Sequence, residues 1–152
     1  EGDIAGLDKD VVFGFFHYPT ADVGPDATNE IDIEFARWGD KASPPLNYTV
    51  WPVDTSLSYV HKGFAFPLRQ SKSIHRYTWK PDRVAYFSAE LRDTGKLGRS
   101  VAWTFIPKNV KKRLGQQPMS LYFNLWGRKG LPPSDGKPVE VIINSFTYTK
   151  AK

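Results

Sequence analysis

The 152-residue sequence has no cysteine and a single methionine, which excludes disulfide staples, thiolate metal sites and a thiol nucleophile. No apolar run approaches the roughly 20 residues that cross a bilayer, so no membrane association is expected. The three histidines, His17, His61 and His75, form no HExxH pair, and no aspartate-rich loop has EF-hand form. Neither a metal nor another cofactor is therefore expected. The chain does not open on methionine, which suggests that an upstream segment has been removed. No internal repeat, low-complexity tract or linker divides it, and 40% hydrophobic content over 152 residues suits one domain with one core.

What is abundant is aromatic: five Trp, seven Tyr and ten Phe, beside 12 Gly and 12 Pro spread along the whole length. That mixture suits sheets and turns better than helices. Val11 to Tyr18, closed by Pro19, reads as a buried strand, and Thr20 to Thr28, with Gly24-Pro25-Asp26, as a loop. Further strands are expected at Glu30 to Phe35, Leu46 to Trp51, Ser58 to Phe66, His75 to Trp79, Arg83 to Ser88, Val101 to Ile106, Ser120 to Trp126 and Val139 to Thr149. Only Asn109 to Gly115 looks like a helical turn. Many short strands with no helix-length periodicity between them predict an all-β, antiparallel sandwich.

One strand is chemically unlike the rest. Between Glu30 and Phe35 acids alternate strictly with apolar residues, so Glu30, Asp32 and Glu34 share one face and Ile31, Ile33 and Phe35 the other. Like charges on neighbouring same-face positions repel, so three in a row need a reason. An acidic row can guard a sheet edge or bind calcium, although lysine is the usual edge guard. Retaining glycoside hydrolysis supplies another reason, since it needs two carboxyl groups about 5 to 5.5 Å apart, one as nucleophile and one as acid and then base. Clustering also supplies the chemistry: close carboxylates cannot all ionise, one pKa must rise, and the group that keeps its proton becomes the general acid. Glu30 and Glu34 are separated by about 13 Å along an extended strand, so their side chains must lean together. Which glutamate plays which part stays open on these grounds.

The segment N-E-I-D-I-E-F at Asn29 to Phe35 resembles the E-x-D-x-E active-site strand of glycoside hydrolase family 16, in the unbulged form of lichenases and xyloglucan-active members. The order of further segments extends the resemblance: F-F-H-Y at Phe15 to Tyr18, W-K-P-D-R-V-A-Y-F at Trp79 to Phe87, and F-N-L-W at Phe123 to Trp126. The resemblance implies a concanavalin A-like jelly roll with Glu30 as nucleophile, Glu34 as acid/base and Asp32 assisting the nucleophile. It further implies a secreted or periplasmic endo-acting enzyme that cleaves β-glucan (β-1,3-1,4 or β-1,3) with retention. Ser88-Ala89 stands where that family usually has an Asp-Gly turn, and Asn144 where its structural calcium would draw an Asp. Full members carry more strands before the F-F-x-Y segment, so a domain short at its N-terminus is implied. Its sheet edges would be open to self-association or to a missing N-terminal segment.

Sugar rings present flat C–H faces rimmed by hydroxyls, so their sites pair aromatic platforms with amides and carboxylates. Alternation places Asn47 and Trp51 on one face of their strand as cleft candidates; Phe16 with Tyr18 and Asn124 with Trp126 form same-face pairs, which the family resemblance implies lie at the substrate groove. Trp38, just past the acid strand, is a further candidate for the groove end, and His17, opposite Tyr18 in facing, is expected to be structural. The polysaccharide is thus the expected partner. A non-catalytic, lectin-like carbohydrate-binding module of the same fold is the alternative. The net charge of +5, with Lys108, Lys111, Lys112 and Arg113, raises nucleic-acid binding as another, but three acids in the groove would repel phosphate, so no nucleic-acid partner is expected.

Overall fold

The computed structural model describes residues 4–66 and 71–150. Its eight strands are β1 (Val11–Tyr18), β2 (Ile31–Ala36), β3 (Leu46–Val50), β4 (Val60–Phe64), β5 (Ser73–Lys80), β6 (Arg83–Leu91), β7 (Leu97–Phe105) and β8 (Ser120–Gly127), with one helical turn, α1 (Val110–Arg113). Five strands form one sheet in the order β4-β3-β2-β1-β8, and three form the other, β5-β6-β7. Every pairing is antiparallel.

Face alternation in the central strands explains how the sheets pack. Ile31, Ile33 and Phe35 of β2 and Leu46, Tyr48 and Val50 of β3 point inward and meet Val84 and Tyr86 of β6 in one buried cluster that also includes Leu114 and Phe66. Each such aliphatic or aromatic side chain withdrawn from water contributes about 1.5–3 kcal/mol. Tyr48 and Tyr86 stack across the sheets, centroids 4.6 Å apart and planes 12° apart. Their hydroxyls stay satisfied, Tyr86 donating to the Thr49 carbonyl at 2.7 Å and Tyr48 to Ser88 Oγ at 2.7 Å. Ser88 also meets His75 Nδ1 at 2.8 Å, and burial pushes that imidazole down to about 4. His17 bonds through Nδ1 to the Tyr77 hydroxyl of β5 and is buried, the structural position expected of it.

Three sequence expectations need amending. β6 runs through Ser88-Ala89 to Leu91 with an irregularity between Ala89 and Leu91, and the chain turns only at Arg92–Lys96, where Gly95 adopts φ 76°. Accordingly β6 and β7 are longer than their apolar runs, because the hairpin ladder outlasts the hydrophobic pattern. The expected strand at Val139 to Thr149 does not form: these residues have no regular structure, with Ile142, Ile143, Phe146 and Tyr148 exposed. A strand needs a ladder to join, and among the described residues this segment pairs with none. Its Phe146 instead meets Phe123 edge-on at 5.6 Å. Phe123 and Leu125 of β8, which lie across from core-facing Phe15 and Phe13, are likewise exposed.

Candidate active site

Placement in the sheet decides the first question about the acids. β2 is the middle strand of five, so its acidic face does not guard an edge. Strand register sets out rows across the outer face of this sheet. Glu34 lies opposite Asn47 on β3 and Gly14 on β1, with Gly63 beyond Asn47 and Asn124 beyond Gly14. Asp32 lies opposite Thr49 and Phe16, with His61 and Tyr122 beyond them. At about 4.8 Å per strand, two strands flank the acids on each side, roughly 10 Å of sheet in either direction.

Glu30 precedes the first ladder residue, and its position is set by unusual backbone. Ala27 and Asn29 adopt left-handed φ of 63° and 60°, a region that asparagine tolerates better than most residues. The Asn29 amide donates to the Pro52 carbonyl and the Trp51 amide to the Glu30 carbonyl, each at 2.9 Å. Asn29 Nδ2 donates to Thr28 Oγ1 at 2.9 Å, and Thr28 Oγ1 to the Pro25 carbonyl at 2.6 Å. The loop before β2 is thereby fastened to the end of β3, and Glu30 enters the acid face held by backbone bonds.

Glu34 leans towards β1. A Cβ added to Gly14 would come within 3.2 Å of Glu34 Cγ, so Gly14 leaves the space its neighbour's carboxyl stem occupies. Asp32 is only 2% exposed. Its Oδ2 accepts from Trp51 Nε1 at 3.1 Å, while Oδ1 is buried with no well-aligned hydrogen-bond partner.

Charges this close perturb one another strongly. Burial pushes Glu34 up to about 7, and the charge of Glu30 adds to the rise. Burial likewise pushes Glu30 up to about 7, but side-chain hydrogen bonding with Asp32 works in the opposite direction, against a smaller rise from Asp26. Asp32 is raised well above the usual carboxylate range by burial first and then by both glutamates. Burial is the largest cause for all three, and the charge of Glu30 acts on both Asp32 and Glu34. Both glutamates are thus raised to the same extent, and only Glu30 has a neighbour, Asp32, whose hydrogen bond works against the rise.

The aromatic candidates divide by side. On the β1–β8 side, Phe16, Tyr18, Tyr122 and Asn124 line an open depression of about 340 Å³. Phe16 stacks on Tyr122 at 5.9 Å, and Tyr18 meets Tyr122 edge-on at 6.4 Å. The Tyr18 hydroxyl donates to Asp26 at 2.7 Å, which raises the phenol to about 12 and ties the loop back to β1. Trp126 shares the face of Asn124 and is 40% exposed, opposite Val12. Trp38 is exposed in a turn with φ 54°.

On the other side two candidates are committed elsewhere. Asn47 lies on the acid face but is only 6% exposed, and its Nδ2 donates to the Ala36 carbonyl at 2.9 Å and the Pro45 carbonyl at 3.4 Å. It fastens the β2–β3 end, and its amide hydrogens are not free for a sugar hydroxyl. Trp51 has given its N–H to Asp32 and packs tilted against Tyr59, centroids 4.6 Å apart. Sequence reading missed Tyr122, Asp26, Gly14 and Tyr59. Tyr122 had a usable signal, being two residues before Asn124 on the same face. Asp26 and Tyr59 meet the site only through loop geometry.

Comparison with protein-family models, curated proteins and solved structures finds no match to this chain.

Proposed function

We propose that the chain is a retaining glycoside hydrolase domain acting on β-glucan, with Glu30 as nucleophile and Glu34 as acid/base. The observation that carries this reading is the placement of Glu30, Asp32 and Glu34 on one face at the middle strand of the five-stranded sheet, beside a depression lined by Phe16, Tyr18, Tyr122 and Asn124. A proton holder and a carboxylate on one face are what the two half-reactions require.

In the first step the Glu30 carboxylate attacks the anomeric carbon as the glycosidic C–O bond breaks, and the Glu34 proton passes to the departing oxygen. In the second, the Glu34 carboxylate takes a proton from water, whose oxygen displaces Glu30 from the sugar. Phe16 and Tyr122 offer ring faces and Asn124 an amide to the glycan beside the acids. The four-segment likeness to glycoside hydrolase family 16 supports the same roles, the choice of β-glucan, a jelly-roll topology and an extracellular setting.

Reducing ends released from lichenan, laminarin and xyloglucan test the proposal. Turnover that disappears in Glu30→Gln is the expected result. Glycan binding without turnover in both proteins would favour the lectin-like module instead.

A further inference from the structure

We propose that Trp51 is a positioning residue, whose indole N–H fixes the carboxyl group of Asp32 beside Glu30 while the Tyr59 ring holds the indole in place. The inference rests on the hydrolase reading above and reassigns a side chain that the sequence marks as a sugar platform.

Three observations support it. First, Trp51 Nε1 donates to Asp32 Oδ2 at 3.1 Å. Among the described residues this is the one hydrogen bond formed by the Asp32 side chain with good geometry, since Oδ1 has none. A buried carboxyl held by one well-aligned donor has one rotational anchor, and losing it leaves Oδ2 unpartnered at a cost above that of an ordinary hydrogen bond. Second, the anchor is itself fixed. The Trp51 amide donates to the Glu30 carbonyl at 2.9 Å, and its ring packs on Tyr59 at 4.6 Å with Tyr59 on His61 at 5.8 Å. One residue thus ties the backbone of Glu30 to the side chain of Asp32. Third, a platform presents a ring face to a sugar, but Tyr59 already packs against the Trp51 ring, and Tyr59 is the exposed member of that pair.

The groups facing Asp32 are Glu30 and Glu34 on its own strand and the buried phenols of Tyr77 and Tyr86 from the opposite sheet. His61 lies across Thr49 on β4, and Asp26 acts on Glu30 from its loop. The Tyr86 hydroxyl is given to the Thr49 carbonyl and that of Tyr77 is paired with His17, so the indole N–H is the well-aligned donor to Asp32 among the described residues. With Oδ2 held towards β3, Oδ1 is the oxygen left to share a proton with Glu30 and so to keep the nucleophile charged.

Two measurements test this. In a ¹⁵N-labelled protein with five indole N–H signals, Asp32→Asn is expected to move the Trp51 signal, assigned through its contacts with the Tyr59 ring, more than the other four. In kinetics, Trp51→Phe keeps an aromatic ring against Tyr59 and removes the donor. It is expected to lower kcat up to about tenfold, the loss of one buried hydrogen bond, with KM within about twofold. An unmoved indole signal, or a raised KM with kcat retained, would overturn the assignment. Should Trp51→Phe fail to fold, the Asp32→Asn spectrum alone decides. If the unaltered protein cleaves no glycan, the hydrolase reading fails while the spectrum still reports whether Trp51 holds Asp32.

Discussion

Gly14→Ala is a small change with a large expected consequence, because of where the added methyl would lie. The new Cβ would stand 3.2 Å from Glu34 Cγ, 3.5 Å from the Ile33 carbonyl oxygen and 3.7 Å from Phe16 Cδ1. Ordinary carbon–carbon contact is about 3.5–4.0 Å, so the Glu34 stem must retreat by roughly 0.3–0.8 Å. Stability should hardly change, since alanine in a strand regains about 0.5–1 kcal/mol over glycine and so offsets much of the crowding. Catalysis should change more. A displacement of about 1 Å costs up to about 100-fold in rate, so kcat is expected to fall roughly five- to tenfold. The assay is release of reducing ends from lichenan, run beside a thermal melt. An unchanged kcat in a folded variant would show that the acid/base does not lean over Gly14, and the proposed convergence of Glu30 and Glu34 would lose its geometric support.

Glu34→Gln should raise the melting temperature at pH 8 and lose that advantage by pH 5. The folded pKa of Glu34, about 7, lies above its unfolded value, so the glutamate's stability contribution is present at low pH and is lost as pH rises through 7. The expected difference is on the order of 2 kcal/mol. Comparing variant with parent at each pH removes the opposite effect of buried His17 and His75, whose lowered pKa values make stability fall as pH drops below about 6.5. A melting difference that does not vary with pH would contradict the buried, raised carboxyl. Tyr18→Phe removes the hydroxyl held by Asp26 at 2.7 Å and is expected to raise KM a few-fold with a smaller change in kcat; unaltered steady-state constants would remove Tyr18 from the site. With Phe123, Leu125, Ile143 and Phe146 exposed and β8 last in its sheet among the described residues, sedimentation should show concentration-dependent self-association. A single monomer boundary across a wide concentration range would refute that.

Alternation made the architecture readable. Ile31-Asp32-Ile33-Glu34-Phe35 assigns its own two faces, and the structure puts the apolar set in the core and the acids outside. Hydrophobic pattern alone could not tell whether a run finds a ladder, which is why Val139 to Thr149 reads as a strand and is none. The candidate site was legible as far as facing determines it: Phe16, Tyr18, Asn124 and the three acids share one side of the sheet. What spacing cannot give is the use a polar hydrogen is put to. Asn47 and Trp51 both lie where expected, yet their N–H groups serve the Ala36 carbonyl and the Asp32 carboxyl. Asp26 escaped notice because its link to Tyr18 crosses a loop whose path depends on left-handed Ala27 and Asn29.

The most direct test of the double-displacement assignment is mass spectrometry of the protein after incubation with a slow, 2-fluorinated β-glucosyl donor. A glycosyl adduct whose fragmentation places it on Glu30 is expected, absent in Glu30→Gln. Continued glycan hydrolysis with no adduct, or an adduct on Glu34, would contradict it.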